Sequence, residues 1–228
     1  VLPNLDHVFA STEQWIFGCQ PAILFAKNFP QIWISEPLNM GYFFYYPMII
    51  LVTMFYFIYR FELFEKLSFV LVTCFFVYYI VFILVPCAGP QFYFPVIGYD
   101  SVAQGVFPPI GDYFDHNIEL VPAPDYEQGF FHNLVKLTQK VGERPTAAFP
   151  SSHVAISTIL MIMAWRAKKG LFFFLSPFYV CLCLATVYIQ AHYLIDSIVG
   201  FVSAFPLYVG VTKMFKKWFA VPMFKSTV

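Results

Sequence analysis

The sequence predicts an all-α, polytopic membrane bundle of five to six transmembrane helices, and three observations carry that prediction. Of the 228 residues, 60% are hydrophobic, 21% aromatic and only 11% charged, against roughly 25% charged in ordinary soluble domains. The apolar residues gather in helix-length blocks, not in the ~10-residue alternating segments of a barrel. The basic residues collect between alternate blocks, as the orientation of membrane helices requires. One integral-membrane domain over 1–228 is the economical reading, and a net charge of zero gives no field for nucleic acid or another polyanion.

Residues 1–38 carry Asp6, Glu13 and Glu36 among aromatics, with Pro21 and Pro30, a mixture that predicts short amphipathic helices lying at the membrane interface. No basic and apolar leader pattern precedes them, and a sixth span is expected upstream of Val1. Apolar blocks follow at 39–59, 67–86, 152–165, 171–189 and 193–212, several close to the ~20 residues that cross a hydrocarbon core. The third is short before Arg166, and the approach through Ala147, Ser151 and Ser152 lengthens its path.

Arg60 and Lys66 join the first two blocks, and Arg166, Lys168 and Lys169 join the third and fourth. Lys213, Lys216, Lys217 and Lys225 follow the fifth. All three groups fall on one side, which the positive-inside rule makes cytoplasmic. The segment 87–150 then faces the periplasm or an organelle lumen, and residues 151–213 form the helices that border it.

That long segment is rich in proline and too polar to cross a membrane, and loops of such length are usually functional or disordered. A functional loop is expected. Within it, Phe130, Phe131, Leu134, Leu137 and Val141 predict an amphipathic helix with Lys136, Lys140 and Arg144 on its other face. The alternative for the lysines is a solvated charged face. Of the five cysteines, Cys74, Cys181 and Cys183 sit in apolar runs as packing residues, with no spacing suited to a metal. Cys19 and Cys87 leave a disulfide open.

Four features converge on the outer surface: Arg144-Pro145, Pro150-Ser151-Ser152-His153 at the start of the third span, and His192 with Asp196 at the start of the fifth. Ionisable groups at a membrane span are costly and mark a functional site by default. His192 and Asp196 stand four apart, so on a helix the carboxylate accepts the Nδ1 proton and leaves Nε2 as a nucleophile. A buried pair that only tethers helices is the other reading. Pro150 places Ser151, Ser152 and His153 at a helix N-terminus, where backbone N–H groups and hydroxyls suit an anion. His153 is then placed to protonate a leaving oxygen. The fork of Arg144 suits two phosphate oxygens, or, read blandly, anchors lipid head groups.

These residues resemble the type 2 phosphatidic acid phosphatase (PAP2) superfamily, which also includes vanadium haloperoxidases and lipid phosphotransferases. The resemblance runs from about residue 136 to 200. Its motifs are a lysine ahead of Arg-Pro, then Pro-Ser-x-His, then Ser-Arg ahead of His-x-x-x-Asp. Arg144-Pro145, Pro150-Ser151-Ser152-His153 and His192-Tyr193-Leu194-Ile195-Asp196 match them. The resemblance implies a six-helix core in which His192 becomes a phosphohistidine, Asp196 orients it and His153 protonates the leaving group. Arg144, Ser152 and a lysine, Lys136 or Lys140, would bind phosphate, with Ser151 beside them, and no metal or other cofactor is implied.

Two positions depart from the pattern. Leu137 occupies the lysine position of the first motif, and Ala185-Thr186 replaces Ser-Arg in the third. A lost charged hydrogen bond to phosphate costs about 2–5 kcal/mol. The stretch from Thr186 to Tyr193 looks more like the inositol phosphorylceramide synthase branch, where that arginine is also lacking. The expected activity is therefore hydrolysis of a lipid phosphomonoester or pyrophosphate, with a lipid phosphate and the surrounding membrane lipids as partners. The runner-up is a phosphotransferase that passes the head group to an acceptor lipid. A transporter or scaffold is the non-enzymatic alternative, and a vanadate peroxidase is hard to reconcile with five spans.

Overall fold

The computed structural model of the chain describes residues 2–117, 126–142 and 144–219, apart from the side chain of Val141. Lys225 and the 118–125 part of the long loop lie outside the described residues. Within them the protein is all-α, and its one β feature is an isolated bridge between Cys87 and Ala147. The helices are α1 (Asp6–Phe17), α2 (Pro21–Asn28), α3 (Ile32–Phe43), α4 (Tyr45–Tyr59), α5 (Phe64–Leu84), α6 (Pro90–Ile97), α7 (Tyr99–Ala103), α8 (Tyr113–His116), α9 (Phe130–Gly142), α10 (Ser152–Ala167), α11 (Lys169–Tyr188) and α12 (Leu194–Phe219).

Among the described residues three helices are long and apolar enough to cross a bilayer: 61–84, which adds a 3₁₀ turn to α5, with α11 and α12. The pair α3–α4, bent by 45°, makes a fourth if it is one span. The expected five to six spans are thus not reached by length and apolarity. The shortfall is α10, whose 16 residues rise only ~24 Å against a core of ~30 Å. Several apolar helices nonetheless make this an integral membrane protein.

α10 is the hub of the bundle. Ile156, Ile159, Leu160 and Ala164 are fully buried, sheathed by α4, α5, α11 and α12 through Val52, Leu67, Val70, Leu175, Leu182 and Ala204. The outward faces are equally apolar: Ile50 and Ile58 on α4, Phe76 and Ile83 on α5, Phe173 on α11 and Val202 on α12 are exposed. Lipid gives no hydrophobic drive between helices, so close packing holds them together. Gly41 permits this for α3 against α11, since a Cβ there would overlap Cys181.

Two boundaries differ from the sequence expectation. The segment 1–38 ends inside α3, which packs along α11 and α9. The break between α3 and α4 falls at Phe44, because Pro47 lacks an N–H and its ring crowds the carbonyl of Phe43 four residues back.

The long loop folds into α6 to α9. The amphipathic helix forms as expected, but its face is rotated. Phe130 and Leu137 are 68% and 61% exposed, while His132, Val135 and Gln139 point inward. The two polar groups tolerate burial because each has a partner: His132 Nδ1 lies 3.1 Å from the Tyr126 hydroxyl, and Gln139 Nε2 donates to Gln91 Oε1 at 3.1 Å. Reciprocal carboxylate caps dock α9 on α3. Glu36 accepts from Phe131 and His132 N–H at 2.8 and 3.0 Å, and Glu127 accepts from Ile32 N–H at 2.9 Å. All five cysteines are free, so the Cys19–Cys87 disulfide does not form; Cys87 is buried and turned to Asp6 instead.

Candidate active site

His192 sits in the turn that joins α11 to α12. Gln190 adopts φ +61°, a left-handed conformation uncommon for a side-chain-bearing residue, and lets the chain reverse. The N–H of His192 then donates to Thr186 O at 3.0 Å. α12 begins only at Leu194, so His192 precedes the helix and does not share its face with Asp196 by helical periodicity.

The Nδ1 of His192 lies 2.8 Å from the carbonyl oxygen of Ala148. A carbonyl only accepts, so Nδ1 carries the proton and the lone pair is on Nε2. The expected tautomer is present, but Asp196 is not what sets it. Its Oδ2 stands 3.8 Å from Nδ1, beyond hydrogen-bond range, and accepts the N–H of Tyr193 at 2.9 Å. Asp196 thereby caps the start of α12.

α10 brings His153 to the same place. Ser151 is its N-cap, fully buried, with Oγ accepting from Val154 N–H at 3.4 Å. Its own N–H donates to Asp196 O at 3.0 Å, and Gly200 lets α12 approach, since a Cβ there would overlap the Ser151 carbonyl. The break at Phe44 sets Tyr42 and Tyr45 around the His153 ring, with centroids 4.9 and 4.5 Å away. The His153 and His192 rings lie 5.7 Å apart.

Both histidines line a cavity of about 670 Å³. Arg144, Ser152 and Gln91 share its polar end, and Tyr46, Phe75, Tyr79 and Phe82 form its aromatic wall toward α4 and α5. The other predicted residues are not on its lining. Ser151 is spent as a cap, Asp196 is fully buried behind His192, Lys140 is exposed, and Lys136 is half-buried within electrostatic reach of His132. Thr186, where the motif arginine would stand, is buried and bonded to Ser197 Oγ at 2.9 Å and to Cys183 O at 2.8 Å. Among the described residues no group of three His, Cys, Asp or Glu side chains is arranged to hold a metal ion.

Sequence reasoning missed the support behind this site. Asp6 and Glu13, expected on interfacial helices, are fully buried. The Asp6 carboxylate accepts from Ala88 N–H at 2.7 Å, Gly89 N–H at 2.8 Å, Tyr193 OH at 3.1 Å and Asn4 Nδ2 at 2.7 Å. The Cys87 thiol, pushed well up by burial and by the nearby carboxylate, donates at 3.3 Å. The Cys87 carbonyl takes the N–H of Ala148 at 2.9 Å, whose carbonyl holds His192. One chain of bonds thus runs from the first helix to the imidazole. Glu13 accepts from Ile195 N–H at 3.0 Å, at the N-terminus of α12. Burial raises its carboxyl from 4.5 to about 7, opposed by backbone N–H groups and reinforced by Asp196. No local signal marks these two carboxylates, since Glu13 stands among Ser11, Thr12 and Gln14 and Asp6 between Leu5 and His7.

No curated protein and no solved structure matches the chain. A family model described as the PAP2 superfamily matches residues 8–209, a range that takes in Asp6's neighbours, the cavity and both histidines. The chain belongs to the PAP2 superfamily.

Proposed function

We propose that the protein is a membrane lipid-phosphate phosphatase that hydrolyses a phosphomonoester or pyrophosphate head group through a phosphohistidine. The observation that carries this reading is a Nδ1-protonated His192 beside His153, on a cavity whose polar end holds Arg144 and Ser152 and whose other wall is aromatic. In the first step the Nε2 lone pair of His192 attacks phosphorus, and the bond from phosphorus to the lipid oxygen breaks. His153 gives that oxygen a proton. Arg144 and the Ser152 hydroxyl offset the charge on the phosphoryl oxygens. In the second step water loses a proton to His153 and displaces His192, which releases phosphate.

The apolar wall supports a lipid acyl group as the remainder of the substrate. With α10 counted as a fifth span and the basic ends cytoplasmic, the cavity faces the periplasm or a lumen. Lys136 and Lys140 reach phosphate in this reading only if α9 shifts when substrate binds.

One observation favours a second reading, transfer of the head group to an acceptor lipid in the manner of inositol phosphorylceramide synthases. Thr186 replaces the motif arginine and is locked to Ser197, so the phosphate has one cationic ligand fewer than a standard phosphatase offers it. The test is phosphate release from lipid phosphates in detergent, by wild type and by His192→Ala and His153→Ala. Release lost in both variants supports the phosphatase. Turnover that requires added diacylglycerol or ceramide makes it a transferase. No turnover by folded wild type under either condition leaves a transporter or scaffold.

A further inference from the structure

At the opposite end of α10 from His153 lies a second cavity, of about 480 Å³, within the usual range of ligand sites. α11 and α12 each pack on α10 but barely touch one another. The wedge between them exposes one face of α10, with Thr158, Ile162, Trp165 and Arg166 at helical spacing. Phe205 and Val209 of α12, both exposed, open the crevice to the lipid-facing surface. Its deep polar groups satisfy each other: Thr158 Oγ1 and the Tyr179 hydroxyl lie 2.8 Å apart. Nothing inside calls for a polar ligand, so the crevice suits a hydrocarbon chain.

Its mouth is cationic. The Arg166 guanidinium lies 5.1 Å from the Tyr208 ring centroid and Lys169 Nζ lies 5.1 Å from that of Trp165, two cation–π contacts that hold both charges at the rim. Lys168 is exposed beside them. Lys66 of α5 faces Arg166 and Lys216 closely enough for like charges to repel. Among the described residues no carboxylate pairs with Arg166, Lys168 or Lys169, and the ion pair at this end is Arg60–Glu62 at 4.0 Å. An apolar crevice under unneutralised cations is complementary to one kind of membrane molecule, an acyl chain below a phosphate of net negative charge.

We propose that this crevice binds one acyl chain of an anionic glycerophospholipid, whose phosphate is held by Arg166. The site is separate from the histidine cavity and does not depend on the phosphatase reading. The full chain, reconstituted in vesicles of equal phosphatidylglycerol and phosphatidylcholine and then extracted, is assayed for retained lipid by native mass spectrometry. Phosphatidylglycerol is expected to be enriched about fivefold or more. Arg166→Gln should bring the ratio to unity, and Val209→Trp should empty the crevice, while Lys217→Gln, at an exposed cation outside it, should change nothing. A second measurement needs no change in the crevice. In a chain with Trp15, Trp33 and Trp218 replaced by Phe, brominated phosphatidylglycerol should quench Trp165 more strongly than brominated phosphatidylcholine. Equal retention of the two lipids by wild type, unchanged enrichment in Arg166→Gln, or equal quenching by the two brominated lipids would overturn the proposal.

Discussion

The imidazole of His192 donates its Nδ1–H to the backbone carbonyl of Ala148 at 2.8 Å, while the carboxylate of Asp196 stands 3.8 Å from the same nitrogen. A main-chain carbonyl cannot be removed by substitution, so the tautomer that leaves the lone pair on Nε2 is built into the backbone. Asp196→Asn should therefore lower kcat by about 10–100-fold, the value of one charged hydrogen bond to the start of α12. His192→Asn should abolish turnover. Steady-state kinetics on one lipid phosphate separates the two, and equal losses would show that Asp196 sets the imidazole after all.

His153 is expected to serve the leaving oxygen, so His153→Ala should cost about 10²–10⁴-fold in kcat. The loss should shrink for an aryl phosphate, whose oxygen departs without a proton. An acid-labile phosphoenzyme should still accumulate in this variant and be missing from His192→Asn. Uniform losses across leaving groups would argue that His153 only fills space between Tyr42 and Tyr45.

Arg144 is the cavity's arginine among the described residues. With Thr186 locked to Ser197, no second one shares its load. Arg144→Ala should reduce kcat/KM by about 10²–10³-fold, and Arg144→Lys should recover little, because an ammonium lacks the two-pronged fork. Competition by inorganic phosphate should weaken in parallel. Retained phosphate affinity in Arg144→Ala would point to Lys136 or Lys140 instead.

Asp6 is bonded to both sides of the chain that supports His192. Asp6→Asn should cost about 1.5–3 kcal/mol of stability for each charged bond it fails to replace. The measurement is thermal unfolding in detergent, paired with kcat at a temperature where the variant stays folded. A variant that loses stability but keeps full kcat would show that the first helix braces the fold without positioning the imidazole.

Glu13 gives a pH dependence whose sign is fixed. Its carboxyl is raised from 4.5 to about 7, so between those values the folded chain holds a proton that the unfolded chain has lost. Stability is then greatest below about 4.5 from this group and declines as pH rises to about 7. Glu13→Gln should remove that decline and gain stability relative to wild type at pH 8. Thermal midpoints of the two proteins from pH 5 to 8 check it, and parallel curves would rule out Glu13 as their source.

The candidate site residues were legible because their types and spacing are local: Pro150 to His153 lead into α10, and His192 lies in the turn before α12, whose first turn carries Asp196. The span count was less so. α10 reads as a marginal span from its 16 residues, and only its position at the bundle centre explains why so short a helix is kept. The face of α9 was misread because hydrophobic periodicity assigns Phe130 and Leu137 inward, whereas His132 and Gln139 win burial through Tyr126 and Gln91. Those partners are distant in sequence, and periodicity carries no information about them.

Composition and the order of apolar blocks determined by themselves that this chain is a helical membrane protein, since solvent transfer governs both, and its motifs singled out the two histidines; the fold decided that their rings lie 5.7 Å apart. The tertiary structure alone decided what holds them: the Ala148 carbonyl in place of Asp196, Asp6 and Glu13 drawn from interface to core, and Thr186 tied to Ser197. Each is a hydrogen bond between different elements of the fold, satisfied only once the chain has packed, because a buried polar group takes whichever partner the fold delivers.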